Sequence, residues 1–548
     1  MNSLKRSVAF LLLICLLFLS ACSKGKSPAD NSSTPDNTVT ASSPETLSLF
    51  YCAKDSLNPY AATTEYNIKL HTLMYDPLIR LDPEFQPQYI IAEAAELLGK
   101  VCTINIKDIN FTDGSKLTAE DVVYSYKLAK ESSLIYKEQL SNVKHCKAED
   151  GNVVFTLSKA DPYFINLLDF PIIKAKSEKI TDENKIILPP IGSGRYVFDR
   201  NQECLYANTS HIGGAPKIKS IILIDAPDDK VSKFNLESGN ISVYNTDLLD
   251  GIMPSMLGTI TLSPLNNLVY LGVNLNRKVF NDVKMRYVVS SAINRAALCT
   301  EAYYTYALPA EGLFSPLWQD AKGLQNISSE SNLQNCVANL KELGYNNKDN
   351  EGLYVDSNNK RISLTLVCNS ENERRVKAAN LIKAQLELAG INVTVKALNW
   401  NQYVSALSSG DFDLYIAEVR LMNNMDVTEL ITSNGSLSYG IPNKVTDDKK
   451  DETTKDTAND PTAEAEAEPE NKPSEEIVHI NNSLDGAVNG FYGEQLSLID
   501  IINAFNAEMP IIPLCYRSGI TVYDARFDIE NLSSVSDAYY NITNIKLK

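Results

Sequence analysis

Residues 361–420, RISLTLVCNSENERRVKAANLIKAQLELAGINVTVKALNWNQYVSALSSGDFDLYIAEVR, leave little choice of local structure. Ile362, Leu364 and Val367 mark a short apolar strand. Between Glu371 and Ala389, the residues Val376, Ala379, Ile382 and Leu386 recur on one helical face, and Gly390 suits the left-handed turn past a helix end. Ile391, Val393, Val395 and Ala397 then alternate with Asn392, Thr394 and Lys396, the period of a half-buried strand. A second helix carries Tyr403 and Leu407, and Phe412, Leu414 and Ile416 form a third strand. Strands joined through helices run parallel, and an open parallel sheet takes ligands beyond the carboxyl ends of its strands. Here those ends are Asn369, Leu398 to Trp400, and Glu418 to Arg420.

Lys5 and Arg6 precede an uncharged run from Val8 to Leu19, closed by Leu19-Ser20-Ala21-Cys22. A basic start, a short apolar core and small residues at a cleavage point predict a secretory signal over 1–21, too short for a lasting membrane span. Leu-Ser-Ala-Cys resembles the bacterial lipobox, which implies a lipid on Cys22 and an anchor at the outer face of the cytoplasmic membrane. Residues 22–45, rich in Ser, Thr, Asn, Asp and Pro, read as a flexible tether.

About 500 residues follow, too many for one core and suited to two or three domains. The formal net charge of −17 excludes nucleic acid as a partner and disfavours spreading over an anionic membrane. Eight cysteines beyond the lipobox lie dispersed with no C-x-x-C, a pattern of buried thiols more than of bridges. The four histidines stand far apart and none sits in H-E-x-x-H, so neither a metal nor another cofactor is expected.

Glu120 and Asp121 look like a catalytic acid pair until their setting is read. Thr118 is an N-cap and both acids fall in the first helical turn. Gly192-Ser193-Gly194 has a phosphate-loop composition, yet a strand follows it where a phosphate loop needs a helix. Asn281 to Ala297 predicts one helix with Met285, Val288, Val289, Ala292, Ile293 and Ala296 buried and with Arg286 and Arg295 toward solvent. Residues 443–476 hold twelve acidic against five basic residues and almost no large apolar side chain, so they cannot bury a core and are expected to be a disordered insertion. Order is expected again with a helix from Gln495 to Phe505.

The landmarks come in a particular order: Leu57-Asn58-Pro59; Tyr75-Asp76-Pro77-Leu78-Ile79; Phe111-Thr112-Asp113-Gly114; Gly192-Ser193-Gly194-Arg195-Tyr196; Asn281 to Arg286 with Ala292 to Arg295; Gly390-Ile391-Asn392-Val393 with Trp400; Gly410-Asp411-Phe412-Asp413-Leu414; and Pro510 to Leu514. In that order and spacing the chain resembles the extracellular solute-binding proteins of family 5, which serve peptide and nickel ABC importers. The resemblance implies an α/β, two-lobe periplasmic-binding-protein fold of type II with an additional inserted domain. By analogy, lobe one collects 46–75, 189–268 and 486–548, the inserted domain is 76–188, and lobe two is 269–485. Ligand then lies between lobes that close on it as a hinged trap.

The resemblance implies site residues one by one. Thr63, Thr64 and Glu65 match a first-lobe segment that contacts ligand backbone, and Trp400 matches a tryptophan of the peptide cleft. Glu418 to Met422 matches a segment that in peptide binders ends in an aspartate holding the ligand's α-amino group. Met422 stands at that position, so Glu418 or Asp426 supplies the carboxylate, or the ligand lacks a free amino terminus. Arg420 favours a ligand carboxylate or phosphate, or pairs internally with Glu418. Asn424, Tyr439 and Tyr516 are further wall candidates. The implied function is capture of an oligopeptide or related solute for an ABC permease, by a lipid-anchored monomer without bond chemistry. A secreted hydrolase is the rival class, but no G-x-S-x-G or H-E-x-x-H is present. A peptide-signal receptor on the same fold is the other alternative.

Overall fold

The computed structural model describes residues 46–132, 135–248, 253–442 and 483–548. The expected signal peptide, the tether with Cys22, and the acidic insertion 443–476 lie outside the described residues. Along the chain come β1 (Thr46–Tyr51), α1 (Glu65–Met74), β2 (Ala92–Leu98), β3 (Val101–Ile106), α2 (Ala119–Glu131), β4 (Val143–Glu149) and β5 (Asn152–Leu157). β6 (Tyr196–Asp199), β7 (Cys204–Ala207), β8 (Ser220–Asp225) and β9 (Val243–Thr246) follow, then the 15-residue β10 (Thr259–Val273). Next are α3 (Val283–Ala292), α4 (Arg295–Glu301), β11 (Ser363–Asn369), α5 (Glu373–Leu388), β12 (Asn392–Leu398), α6 (Trp400–Ser409) and β13 (Leu414–Arg420). The helices α7 (Leu484–Tyr492) and α8 (Leu498–Glu508) lead into the 13-residue β14 (Ile511–Tyr523).

Three sheets organise these elements. One has the order β1-β8-β7-β6, a second β2-β3-β5-β4, and the third, of seven strands, contains β9-β14-β10-β13-β11-β12. β11 pairs in parallel with β12 and β13, which makes residues 361–420 the expected βαβαβ block. The sheet then changes character. β10 runs antiparallel to both β13 and β14, so the whole is mixed rather than doubly wound throughout. Leu366, Leu414, Ile382 and Leu386 pack in one core beneath this block.

β10 and β14 are long enough to belong to two regions at once. The first half of β10 pairs with the last residues of β14 (Thr259 with Tyr523), and its second half with the first (Gly272 with Ile511). Between Ser263 and Asn267 the register slips, at Pro264, which has no amide hydrogen to give the ladder.

Several sequence motifs turn out to be structural. Thr118 and Asp121 close a capping box, with Thr118 N and Oγ1 donating to Asp121 at 3.0 and 2.9 Å. Gly192 and Gly194 lie against the Met74 backbone, where a Cβ on either would stand 2.3 Å from a backbone atom. The glycines serve close packing, and Arg195 beside them reaches Asp537 at 2.7 Å and the carbonyls of Thr72, Tyr539 and Tyr540 at 2.7–3.1 Å. Asp537 also takes Nε of Arg80 at 3.0 Å, so two buried arginines share one carboxylate.

The helix expected over 281–297 is two helices. Ile293 leaves the helical conformation and Asn294 starts α4, its side chain accepting from Ala297 N at 2.7 Å. Arg286 and Arg295 are buried, not solvated. The break turns Arg295 inward, where Nε donates to Pro513 O at 2.8 Å and its terminal nitrogens reach Ser290 and Ser328. The helix expected from Gln495 starts instead at Leu498, because Ser497 and Asp500 form a capping box there. The eight described cysteines are unpaired, and all but Cys146 are buried.

Candidate functional site

The register of three strands sets the site. Asn267 on β10 lies opposite Arg420 on β13 and opposite Arg517 on β14, so the three side chains line one face in a row. This row stands next to the register slip and borders a cavity of about 450 Å³. Glu65, Lys69 and Thr72 of α1 contribute to its wall, with Asn245 to Asp247 at the end of β9. Arg420 to Asn423 contribute from the end of β13, and Tyr136, Gln139 and Asp169 from the segment bearing the second sheet. Ser534 to Ala538 complete it.

Charge is arranged in clusters within that wall. Glu418 Oε1 accepts from Arg517 Nε and from Asn267 Nδ2, both at 2.8 Å, while Oε2 lies 3.3 Å from Arg375. The Glu418 side chain is 8% exposed and that of Arg517 3%. Burial pushes the Glu418 carboxyl up, but Arg517, Asn267 and Arg375 outweigh it and hold it below the usual carboxylate range. Arg517 also donates to the Asp247 carbonyl. Lys69 pairs with Glu65 and donates to Asn245 O at 2.5 Å. Asp169 accepts from Gln139 Nε2 at 2.5 Å and Asn423 Nδ2 at 2.9 Å.

Of the residues singled out in the sequence, Glu65, Arg420 and Met422 line this cavity together. Glu418 sits behind it within the arginine cluster and does not pair with Arg420. Thr63 and Thr64 bind the Asp55 carboxylate one turn away, through their amides and hydroxyls at 2.6–3.2 Å. Asn424 is buried and donates to Asp161 at 2.7 Å, and Asp426 pairs with Lys159 at 3.2 Å. Trp400 opens α6 at the carboxyl edge of β12, 50% exposed and stacked on Tyr403 with ring centres 5.9 Å apart. Tyr439 borders a separate cavity with Asn274 and Arg277. Tyr516 is core: 1% exposed, its hydroxyl donates to Leu313 O at 2.5 Å.

Arg517, Asp169 and Lys69 are among the wall residues that were not expected from the sequence. Arg517 is the one basic residue of the wholly buried strand β14, and Asp169 the one acid between Pro162 and Pro171. Such lone charges in apolar runs are legible signals, since an unpaired buried charge is costly. Lys69 carries no comparable signal.

Residues 91–436 match the family model described as "Bacterial extracellular solute-binding proteins, family 5 Middle". The chain belongs to that family. It is 27% identical over 429 residues to the oligopeptide-binding protein AppA of Bacillus subtilis (strain 168), covering 73% of this chain and 78% of that one. It is 25% identical over 368 residues to the glutathione-binding protein GsiB of Escherichia coli (strain K12), covering 63% and 68% respectively. Among solved structures, the murein tripeptide binding protein MppA in its unliganded open form superposes with a TM-score of 0.68 at 17% identity, over 92% of this chain and 98% of that one. A nickel ABC transporter protein from Bacillus halodurans gives 0.69 at 18%, over 91% and 99%. The family 5 solute-binding proteins share the expected α/β, type II two-lobe architecture. The family is one of solute-binding proteins, not enzymes, so the hydrolase alternative falls. Among the described residues, no group of three or more His, Cys, Asp or Glu is placed to hold a metal, and no helix is long and apolar enough to cross a membrane.

Proposed function

We propose that this solute-binding protein captures oligopeptides, or a related small solute, and delivers them to an ABC permease. The observation that carries the reading is the charged cavity astride β10 and β14, where α1, the end of β13 and Asp169 converge. In the proposed division, 46–75, 189–268 and 486–548 form lobe one, 76–188 the inserted domain and 269–485 lobe two. Closure then bends the two long strands near the slip at Pro264, bringing Trp400 and Arg420 toward Glu65.

Hydrogen bonds to a peptide backbone need both donors and acceptors, and this wall offers both. Asn267, Arg420 and Asn423 donate, while Glu65 and the Asn245 to Asp247 segment accept. Trp400 supplies an aromatic face for a side chain. The similarity to AppA over three quarters of the chain supports a peptide over a metal complex. The lipid on Cys22 would hold the monomer at the outer face of the membrane, and residues 22–45 would let it reach the permease.

Native mass spectrometry of ligand copurifying with the full chain tests this directly, with thermal shifts against peptide pools beside it. Peptide mass adducts and shifts of several degrees are expected. Shifts only with sugars or metal chelates would overturn the peptide assignment.

A further inference from the structure

The charges around the cavity do not all cancel. Lys69 is matched by Glu65, Arg517 by Glu418, and Asp537 by Arg80 and Arg195. Asp247 has partners of its own. Two groups remain, one of each sign. Asp169 is bonded by the neutral amides of Gln139 and Asn423. The Arg420 side chain, exposed at the end of β13, makes no hydrogen bond or ion pair among the described residues.

The two are neighbours. Asn423, which donates to Asp169, follows Arg420 by three residues, and the Arg420 guanidinium lies close enough to draw the Asp169 carboxyl down. They do not reach ion-pair contact, so a gap flanked by opposite charges is left open to the cavity. From this arrangement we infer that Asp169 and Arg420 form a subsite for a complete α-amino acid head, its ammonium on Asp169 and its carboxylate on Arg420. This rests on the peptide-capture reading and narrows the substrate class within it.

An ordinary peptide amino terminus fits the gap less well. It brings an ammonium, but its neighbouring carboxyl has become an amide, which leaves the guanidinium without an anion. A peptide joined through a side-chain carboxyl keeps both charges on one carbon and matches both groups. Ionised hydrogen-bond partners contribute more than neutral ones, so the lost carboxylate should cost about tenfold or more in affinity.

Protonation gives a second signature. Burial pushes the Asp169 carboxyl up to about 6, although Gln139, Arg420 and Asn423 pull it down; the Tyr136 phenol faces the same carboxylate. Losing that charge removes the partner of the ammonium. Affinity for the zwitterionic head therefore falls as pH drops through about 6.

The test compares γ-glutamyl-alanyl-glycine with its α-linked isomer, which has the same composition and net charge, by titration calorimetry on the full chain. Wild type is expected to bind the γ isomer about tenfold tighter or more. Asp169→Asn and Arg420→Met should each reduce that preference below about threefold, and Asp169→Asn should also flatten the fall in γ-isomer affinity between pH 7.5 and 5. Equal or tighter binding of the α isomer, binding of neither, or a preference that survives both substitutions overturns the subsite. Peptides that bind without this preference leave the capture reading intact; a peptide pool that does not bind at all removes that reading too.

Discussion

Glu418 accepts a 2.8 Å hydrogen bond from Nε of Arg517, and the strand β10 runs between the two strands that carry them. Arg517 lines the cavity and Glu418 lies behind it, with Asn267 from the intervening strand on the same carboxylate oxygen. Two strands that are not ladder neighbours are thus tied across a third beside the register slip.

Removing one member leaves the other charge buried. Arg517→Met is expected to destabilise the protein by about 3–5 kcal/mol, and Glu418→Gln with Arg517→Met together by clearly less than the sum of the two single changes. Urea denaturation of the single and double variants measures the coupling; strict additivity would show that the bond carries no special weight.

A methyl group at residue 194 would stand 2.3 Å from the Met74 carbonyl carbon, in a backbone contact with no flexible side chain to yield. Gly194→Ala should therefore cost at least about 1–3 kcal/mol, seen as a lowered Tm. A Tm within a degree of wild type would mean that the segment moves away freely.

Asp161 is 2% exposed, and burial pushes its carboxyl up to about 6 against bonds from Asn424 and Tyr163. Asp426, Lys159 and the Tyr492 phenol face it. A carboxyl raised in the folded state binds more protons there than when unfolded, so its contribution to stability rises as pH falls from about 6 toward the unfolded value of about 4. Asp161→Asn should raise Tm at pH 7.5 and change it little at pH 4. Thermal melts across that range decide it, and a pH-independent difference would exclude titration of this group as the cause.

The chain has two tryptophans, Trp318 with 1% exposure and Trp400 with 50%. Fluorescence changes on peptide binding should then come from Trp400 and vanish in Trp400→Phe, whose stability should stay within about 0.5 kcal/mol of wild type. A full signal in that variant would place Trp400 away from the ligand.

Local structure was legible wherever periodicity and chain termination agreed. Residues 361–420 announced themselves because apolar spacing, Gly390 and Gly410 all pointed the same way. The break at Ile293 was hidden because Val289, Ala292, Ile293 and Ala296 keep helical spacing across it, and only the capping role of Asn294 distinguishes two helices from one. The cavity was half legible. Glu65, Arg420 and Met422 came from motif position, but Arg517 and Asp169 enter through bonds between residues 99 and 254 positions apart. No local pattern encodes which distant strand a lone charge will face.

The position of β14 in the chain has a consequence for how the protein is made. This strand lies inside the seven-stranded sheet, bonded to β9 on one side and β10 on the other, yet it begins only at Ile511. Until those residues emerge, β10 keeps an open edge along its whole length, and the Glu418 carboxylate has no Arg517. A nascent chain cannot close its largest core early, since the slowest contacts to form are those between the most distant segments. The strand therefore acts as a timer: the sheet is completed only once residues 511–523 have arrived.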